Sequence, residues 1–409
     1  MKSPAVAEIQ GLYGPFTFPE TLLQKIWDRR DFDTLHAATA GGQRVRIGHP
    51  GQWNHGGGPD FKNARLRIGN TIITGDVEVH LREADWHAHR HANDPAHANV
   101  VLHVVLFPPQ CVTTSGAGGR EIPILALLPL LHHDLEQYAA DDAVERLAAH
   151  PLSNAGKKLS SLTLSELSSA IAHHAQKRWH QKIHFAHRRV TRLGWDDACH
   201  HTALEILGYR NNRPAMIAIA GEHPLENWPQ SVNAQNAISF AERIFDEQAD
   251  NRAWAPRSSR PANHPRTRLR QYALWASARP AWPQLLRAFA AGFQKNEPPP
   301  ASVAEWRRVN KAASLRKRIR MEICGDALGG SRFDTLVCDG FLPLLAAQNH
   351  AREETLREVW TNWFAGDMPA RFSGYLRALG VTGASGTPNH NGAAQGLLGF
   401  LLETENAVA

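Results

Sequence analysis

The apolar positions change period along the chain, and the change divides it in two. From residue 20 to 107 the pattern is mostly that of strands, with one helical exception. Glu20–Arg30 (ETLLQKIWDRR) places Leu22, Leu23, Ile26 and Trp27 on one face directly behind Pro19, which predicts a short amphipathic helix. Arg44–Gly48 alternates as a strand. Phe61–Ile68 and Ile72–Leu81 are two alternating runs split by Gly69-Asn70, which predicts an antiparallel hairpin. Glu83–Asn93 is polar and rich in histidine, a turn or a short helix. Asn99–Phe107 is almost continuously apolar and rich in valine, as a strand covered on both faces would be. Beyond residue 125 the period becomes helical. Helices are predicted at Leu162–Arg192, Ala198–Leu207 with a stop at Gly208, Ala234–Asp246, Thr267–Ser277, Trp282–Phe293, Glu353–Phe364 and Ala393–Thr404. Clusters of Pro, Asn and Gly at 209–214, 256–266 and 296–300 predict loops. The expected fold class is α+β: a small mixed-sheet domain over 1–125, followed by a large mostly α-helical domain over 126–409.

Composition narrows the class without changing that outline. At 43% hydrophobic and 21% charged, the 409 residues have ordinary globular usage. No apolar run reaches the roughly 18 residues of a membrane span. Cys111, Cys199, Cys324 and Cys338 form no CxxC pair, which argues against a disulfide framework and a thiolate zinc site. With no apolar stretch before Gly11, a soluble, cytoplasmic protein without membrane contact is expected.

The net charge of +6 matters through its distribution. No acid occurs from Asn251 to Trp275, while six arginines do; a second basic run spans Arg307–Arg320, and a third spans Lys177–Arg192. Clustered arginines suit phosphate backbones, so Arg257, Arg260, Arg266, Arg268, Arg316 and Arg318 are candidate contacts to DNA or RNA. The alternative is a set of solvated helix faces. Asn212 and Asn263 have two readings, buried hydrogen-bonding residue or nucleic-acid contact. Trp306, Trp360 and Trp363 are assigned to the core.

The chemistry concentrates between His55 and His103. Alternation puts Asp76, Glu78 and His80 on one face of their strand, with Val77 and Val79 on the other. Three polar groups on one strand face are costly unless solvated, paired or bound to metal. A hairpin returns the start of one strand to the end of the next, so Asp60, behind Gly56-Gly57-Gly58-Pro59, comes near that face. Two carboxylates and an imidazole make a site for a hard divalent ion. Asp60, Glu78 and the Val79 carbonyl are the expected ligands, and Mg²⁺ or Mn²⁺ the expected ion. Six histidines fall within the 24 residues from His80 to His103. His87, Asp94 and His97 are the strongest candidates near the strand, His89 and His91 weaker ones, and His103 reads as a core histidine. There is no P-loop, no GxGxxG and no H-E-x-x-H.

Gly58-Pro59-Asp60 followed by Glu78-Val79-His80 resembles the PD-(D/E)xK phosphodiesterase superfamily over about residues 15–125. That resemblance implies a helix–strand–strand–strand–helix–strand core with Asp60, Glu78 and His80 as catalytic residues, and Glu20 or Asp28 as an additional acid. His80 stands where the superfamily has lysine, a departure at the residue that orients the attacking water. The stretch DWHAHRHANDPAH is similar to the histidine-rich segment of very-short-patch mismatch-repair endonucleases, which implies that His87 assists cleavage by protonating the leaving oxygen. The whole chain resembles a large uncharacterised bacterial family. Its members join this GPDF…GDVEVH…DWxxHxH block to a helical part with LGYRNN, RPANHPRTRL and QGLLGFL. The expected activity is metal-dependent cleavage of DNA or RNA phosphodiesters. The rivals are a non-cleaving nucleic-acid-binding module and a hydrolase of small phosphoesters.

Overall fold

A computed structural model of the protein describes residues 6–11, 14–149, 161–230, 234–250, 254, 263–298, 300–349, 352–367 and 390–406. The chain forms two compact units, Met1–Ala139 with Gln248–Trp254, and Ala140–Glu247 with Ala255–Ala409. The first division therefore falls after Ala139 rather than at 125. Strand Glu121–Ala126 belongs to the sheet, and the Tyr138 hydroxyl donates to the Asp31 carbonyl at 2.6 Å in the same core.

The first unit opens with a two-stranded hairpin that the sequence pattern did not reveal, β1 (Val6–Gly11) and β2 (Gly14–Pro19). Helix α1 (Glu20–Arg29) follows, as predicted. Seven strands then make a mixed sheet: β3 (Val45–His49), β4 (Gln52–Trp53), β5 (Phe61–Ile68), β6 (Thr71–His80), β7 (Val100–Val105), β8 (Thr113–Ser115) and β9 (Glu121–Ala126). Their order is β3-β5-β6-β7-β9-β8, with β4 also pairing β5. The β5–β6 hairpin is antiparallel, whereas β6–β7 and β7–β9 are parallel. Short helix α2 (Ala84–Ala88) lies in the β6–β7 connection. Leu22, Leu23, Ile26 and Trp27 of α1 join Phe61, Ala64, Leu66, Val77, Val79, Leu102 and Val104 in one buried core. Each such side chain contributes about 1.5–3 kcal/mol by leaving water. The apolar parity of β6 thus fixes which face carries its polar residues.

The second unit is helical. Thr163 and Glu166 form a capping box that starts helix Leu164–Leu193. That helix packs on Asn391–Asn406 so closely that a Cβ on Gly396 would sit 2.1 Å from the Ile171 carbonyl oxygen. The QGLLGFL motif is therefore a helix-crossing surface. Helix Trp195–Glu222 breaks at Tyr209 (φ 53°), just after the expected stop at Gly208. It then resumes through 210–214, where a loop was expected, and carries Pro214 inside the restarted helix. Trp306, Trp360 and Trp363 are buried. Among the described residues no helix is long and apolar enough to cross a membrane.

Candidate metal centre

The register Phe61↔Val77 places Asp60 beside Glu78. A bulge between Phe61 and Ala64 is held by Asp76, whose Oδ1 accepts from the Asn63 N–H at 3.0 Å. Asp76 is thus a strand brace. The glycine-rich approach to Asp60 is clamped by Asn54, whose amide donates to the Gly57 and Pro59 carbonyls at 3.0 and 2.9 Å. Gly58 has φ +90°, a conformation that disfavours a side chain.

Asp60 and Glu78 are locked reciprocally. The Asp60 N–H donates to Glu78 Oε2, and the Val79 N–H donates to Asp60 Oδ2, each at 3.0 Å. Burial and then the negative charge of Glu78 raise the Asp60 carboxyl far above the usual carboxylate range. Glu20, at the start of α1, is pushed up to about 8 by burial and by the charges of Asp60, Glu78 and Asp85. Its Oε2 is buried without a hydrogen-bond partner. Three acids gather here against their own repulsion.

The other oxygen of Glu78 faces imidazoles. Oε1 lies 3.2 Å from His91 Nε2, 3.6 Å from His97 Nε2 and 3.6 Å from His80 Nε2. Burial pushes the Glu78 carboxyl up, but hydrogen bonds from His91 and His97 outweigh it and hold the group low. His91 and His97 sit on two single 3₁₀ turns, His91–Asn93 and Pro95–His97. Asp94 caps the second through the Ala96 N–H at 2.9 Å and orients the ring by a 3.0 Å contact to His97 Nδ1. The His91 and His97 rings lie 3.9 Å apart, centroid to centroid.

Behind them a chain of contacts runs inward. His80 Nε2 meets His89 Nδ1 at 3.1 Å, His80 Nδ1 meets His103 Nε2 at 3.0 Å, and His103 Nδ1 meets Thr114 Oγ1 at 2.9 Å. Burial and the adjacent imidazoles keep His80 neutral at physiological pH despite the pull of Glu78; burial likewise lowers His103 to about 4. Trp86, fully buried, packs beside His91, His97 and His103.

Among the described residues, two groups have ligand atoms all within 4.8 Å of one another, Glu78–His91–His97 and His80–His89–His91. A metal ion fits the first. Nε2 of both His91 and His97 is buried with no partner other than Glu78 Oε1, on which both converge, and Asp94 braces the far nitrogen of His97 as metal-bound imidazoles require.

The sequence-predicted residues fall unevenly on this geometry. Asp60, Glu78 and His80 come together with Glu20. Val79 is present through its N–H, which is committed to Asp60. His87 is exposed, because Trp86 takes the inward position on α2 and turns the next residue outward. His91 and His97, given less weight than His87 or shared weight with it, are the ones that reach Glu78. Their signal was Asp94-Pro95-Ala96-His97, an Asp-capped turn that aims a histidine.

The basic runs of the helical unit look different in three dimensions. Arg257 and Arg260 lie outside the described residues. Arg266 pairs with Glu242 and with Asp246, the latter at 3.0 Å, and Arg316 pairs with Asp334 at 2.7 Å. Arg318 pairs with Glu322 at 3.1 Å. Arg268 is buried, with its guanidinium on the Tyr209 hydroxyl and on Asn263 Oδ1 at 3.1 and 2.7 Å. The runs are acid-free only along the sequence; helix packing supplies acids from distant segments. Arg268 and Asn263 are thus parts of an internal network, and the charges of Arg266, Arg316 and Arg318 are already matched.

No curated protein and no solved structure matches the chain. A family model described as "Protein of unknown function (DUF2851)" matches residues 20–245, more than half of the 409 residues. The chain belongs to the DUF2851 family.

Proposed function

We propose that the protein is a metal-dependent phosphodiesterase of PD-(D/E)xK type that cleaves DNA or RNA. One observation carries this reading. A hairpin sets Asp60 against Glu78, and the free oxygen of Glu78 meets buried imidazole nitrogens that have no other hydrogen-bond partner. Glu78, His91 and His97 would hold a divalent ion. Their mixed oxygen and nitrogen donors favour Mn²⁺ over Mg²⁺. The ion supplies charge neutralisation at the phosphate and lowers the pKa of a water.

The chain's own groups supply the rest. Asp60, with a carboxyl raised toward neutrality, is suited to accept the proton of the attacking water. His80, kept neutral by burial, takes the place of the superfamily's lysine and orients that water through Nε2. His89, half-buried and in contact with His80, is better placed than His87 to protonate the departing oxygen.

The test is cleavage of supercoiled plasmid and of single-stranded RNA with Mn²⁺, Mg²⁺ or Zn²⁺. Glu78→Gln and Asp60→Asn should lose at least about a hundredfold in rate, as removal of a metal ligand or general base does, with the thermal midpoint retained. Wild-type protein that binds nucleic acid and never cuts it would leave the non-cleaving module as the answer. Hydrolysis of a small aryl phosphodiester alone would leave the small-substrate hydrolase.

A further inference from the structure

The nucleic-acid reading needs a surface for the phosphate backbone, and Arg266, Arg268, Arg316 and Arg318 of the helical unit are already engaged. The first unit carries another candidate. Between Arg44 and Gly75 the sole acid is Asp60, against Arg44, Arg46, Lys62, Arg65 and Arg67. Arg44 commits one guanidinium N–H to the Leu35 carbonyl. The side chains of the other four are exposed and, among the described residues, form no ion pair or hydrogen bond.

Their placement follows from register. Val45, Ala64, Leu66, Ile68, Val77 and Val79 point into the core. Arg46, Arg65 and Arg67 therefore point to the opposite face of the sheet. Arg46 stands directly across from Arg67, and Arg67 across from Ile72; Arg65 stands across from Thr74. Ile72, Thr74, Asp76, Glu78 and His80 alternate without interruption along β6, so the basic strip and Glu78 share one sheet face. At roughly 3.4 Å per residue, the Thr74 and Ile72 rows lie about 14 and 20 Å from Glu78.

Two features point to a ligand. Like charges directly opposite on neighbouring strands are unfavourable, and Arg46↔Arg67 is such a pair with no acid beside it. The row also exposes Ile72 at 69% of its surface, next to Arg67. Cations flanking an apolar side chain match the phosphates and sugar of a nucleic-acid strand.

We infer that the outer face of β3 and β5, carrying Arg46, Lys62, Arg65 and Arg67, is the track along which a nucleic-acid backbone leads to Glu78. The inference rests on the phosphodiesterase reading for its partner, but its test does not require cleavage.

Binding of labelled duplex DNA, single-stranded DNA and RNA is measured by fluorescence anisotropy in EDTA across a salt series. Wild-type affinity should fall with salt. Arg46→Glu/Arg67→Glu should cut the log–log slope by about two, since each lost phosphate contact removes close to one counterion. The three probes separate duplex from single strand and DNA from RNA. Arg46→Thr/Arg67→Thr, which removes the like-charge contact without adding acids, should weaken binding similarly and leave the thermal midpoint unchanged or higher. Arg318→Glu in the helical unit should leave the slope unchanged.

An unaltered slope in both double variants overturns the inference, as does wild-type protein that binds anionic vesicles but no nucleic acid. Protein that cuts while its affinity ignores the strip sinks this inference alone. Protein that binds through the strip and never cuts sinks only the catalytic reading.

Discussion

Two buried polar clusters among the described residues are built on opposite principles. In the helical unit the cluster around Tyr209 sets a buried cation against an acid and satisfies the rest with neutral acceptors. Arg332 pairs with Asp367 at 2.8 Å, and its guanidinium lies 3.0 Å from the centroid of the Tyr209 ring. The Tyr209 hydroxyl donates to Asn263 Oδ1 at 2.5 Å, which also accepts from Arg268. This joins the LGYRNN and RPANHPRTRL motifs into one internal network. On the sheet, by contrast, Glu20, Asp60 and Glu78 crowd together, and three imidazoles press around a single carboxylate oxygen. The first arrangement stabilises the metal-free fold. In the second, burial and mutual repulsion raise the Glu20 and Asp60 carboxyls. Matching charges mark architecture, and gathered like charges mark the site.

The contrast is broken most readily at Arg332. Replacing it with methionine leaves Asp367 without its cation and removes the donor to the Ile206 carbonyl, held at 3.0 Å. Removing one partner of a largely buried ion pair costs about 3 kcal/mol, the low end because Asp367 is one-third exposed. Urea denaturation of metal-free protein should show that loss for Arg332→Met. Asp60→Asn should be neutral or stabilising in the same assay, because the amide oxygen can still accept from Val79 and the repulsion is gone. Equal losses would erase the distinction between the clusters.

How far this division could be read from sequence depends on the range of the forces involved. The α1 helix, the β5–β6 hairpin and six helices of the second unit, from Leu164–Leu193 to Asn391–Asn406, follow from local period and agree within a few residues, whereas helices such as Val303–Val309, Ala312–Glu322 and Leu342–Gln348 were not predicted. The meeting of Asp60 with Glu78 was legible too, because a hairpin is a local fold. What the chain did not disclose is non-local. The parallel pairing of β7 with β6, which puts His103 directly beside Glu78, depends on a crossover that no local pattern specifies. The exposure of His87 depended on where Trp86 packs. Arg266 looked unpaired because Glu242 and Asp246 lie 20 or more residues away in sequence. Arg46 and Arg67, 21 positions apart, became a candidate surface only once register set them opposite one another.

A second prediction sharpens the contrast through pH. The native Glu20 carboxyl holds its proton up to about 8, whereas in the unfolded chain it loses it near the ordinary value of 4.5. Between those values the native state binds more protons than the unfolded one, so Glu20 lowers stability as pH rises through that window. Metal-free protein should therefore lose stability from about pH 5 to 8, and Glu20→Gln should flatten part of the decline, on the order of 2 kcal/mol at the upper end. Saturating Mn²⁺ should remove the same slope, since an ion favours the ionised acids and adds its binding energy to the folded state. A Glu20→Gln profile parallel to wild type, with or without Mn²⁺, would show that Glu20 is not part of the acid group.

The smallest expected effect lies deepest behind the site. Thr114 is buried, and its hydroxyl meets His103 Nδ1 at 2.9 Å; His103 in turn meets His80. That sequence of contacts fixes the His80 tautomer from within, with Nε2 at the outer end 3.1 Å from His89 Nδ1 and 3.6 Å from Glu78 Oε1. Thr114→Val keeps the shape and removes the hydroxyl, so the His103 ring is free to change tautomer and pass the change to His80. Loss of one buried hydrogen bond costs about 1 kcal/mol of stability. Supporting contacts behind a metal ligand are worth about tenfold in affinity at the weak end. Isothermal titration with Mn²⁺ should then show a loss of up to about tenfold for Thr114→Val, restored by Thr114→Ser. A change in stability with no change in Mn²⁺ affinity would place Thr114 among the ordinary core contacts of the sheet, and the inward chain of imidazoles would belong to the architecture rather than to the site.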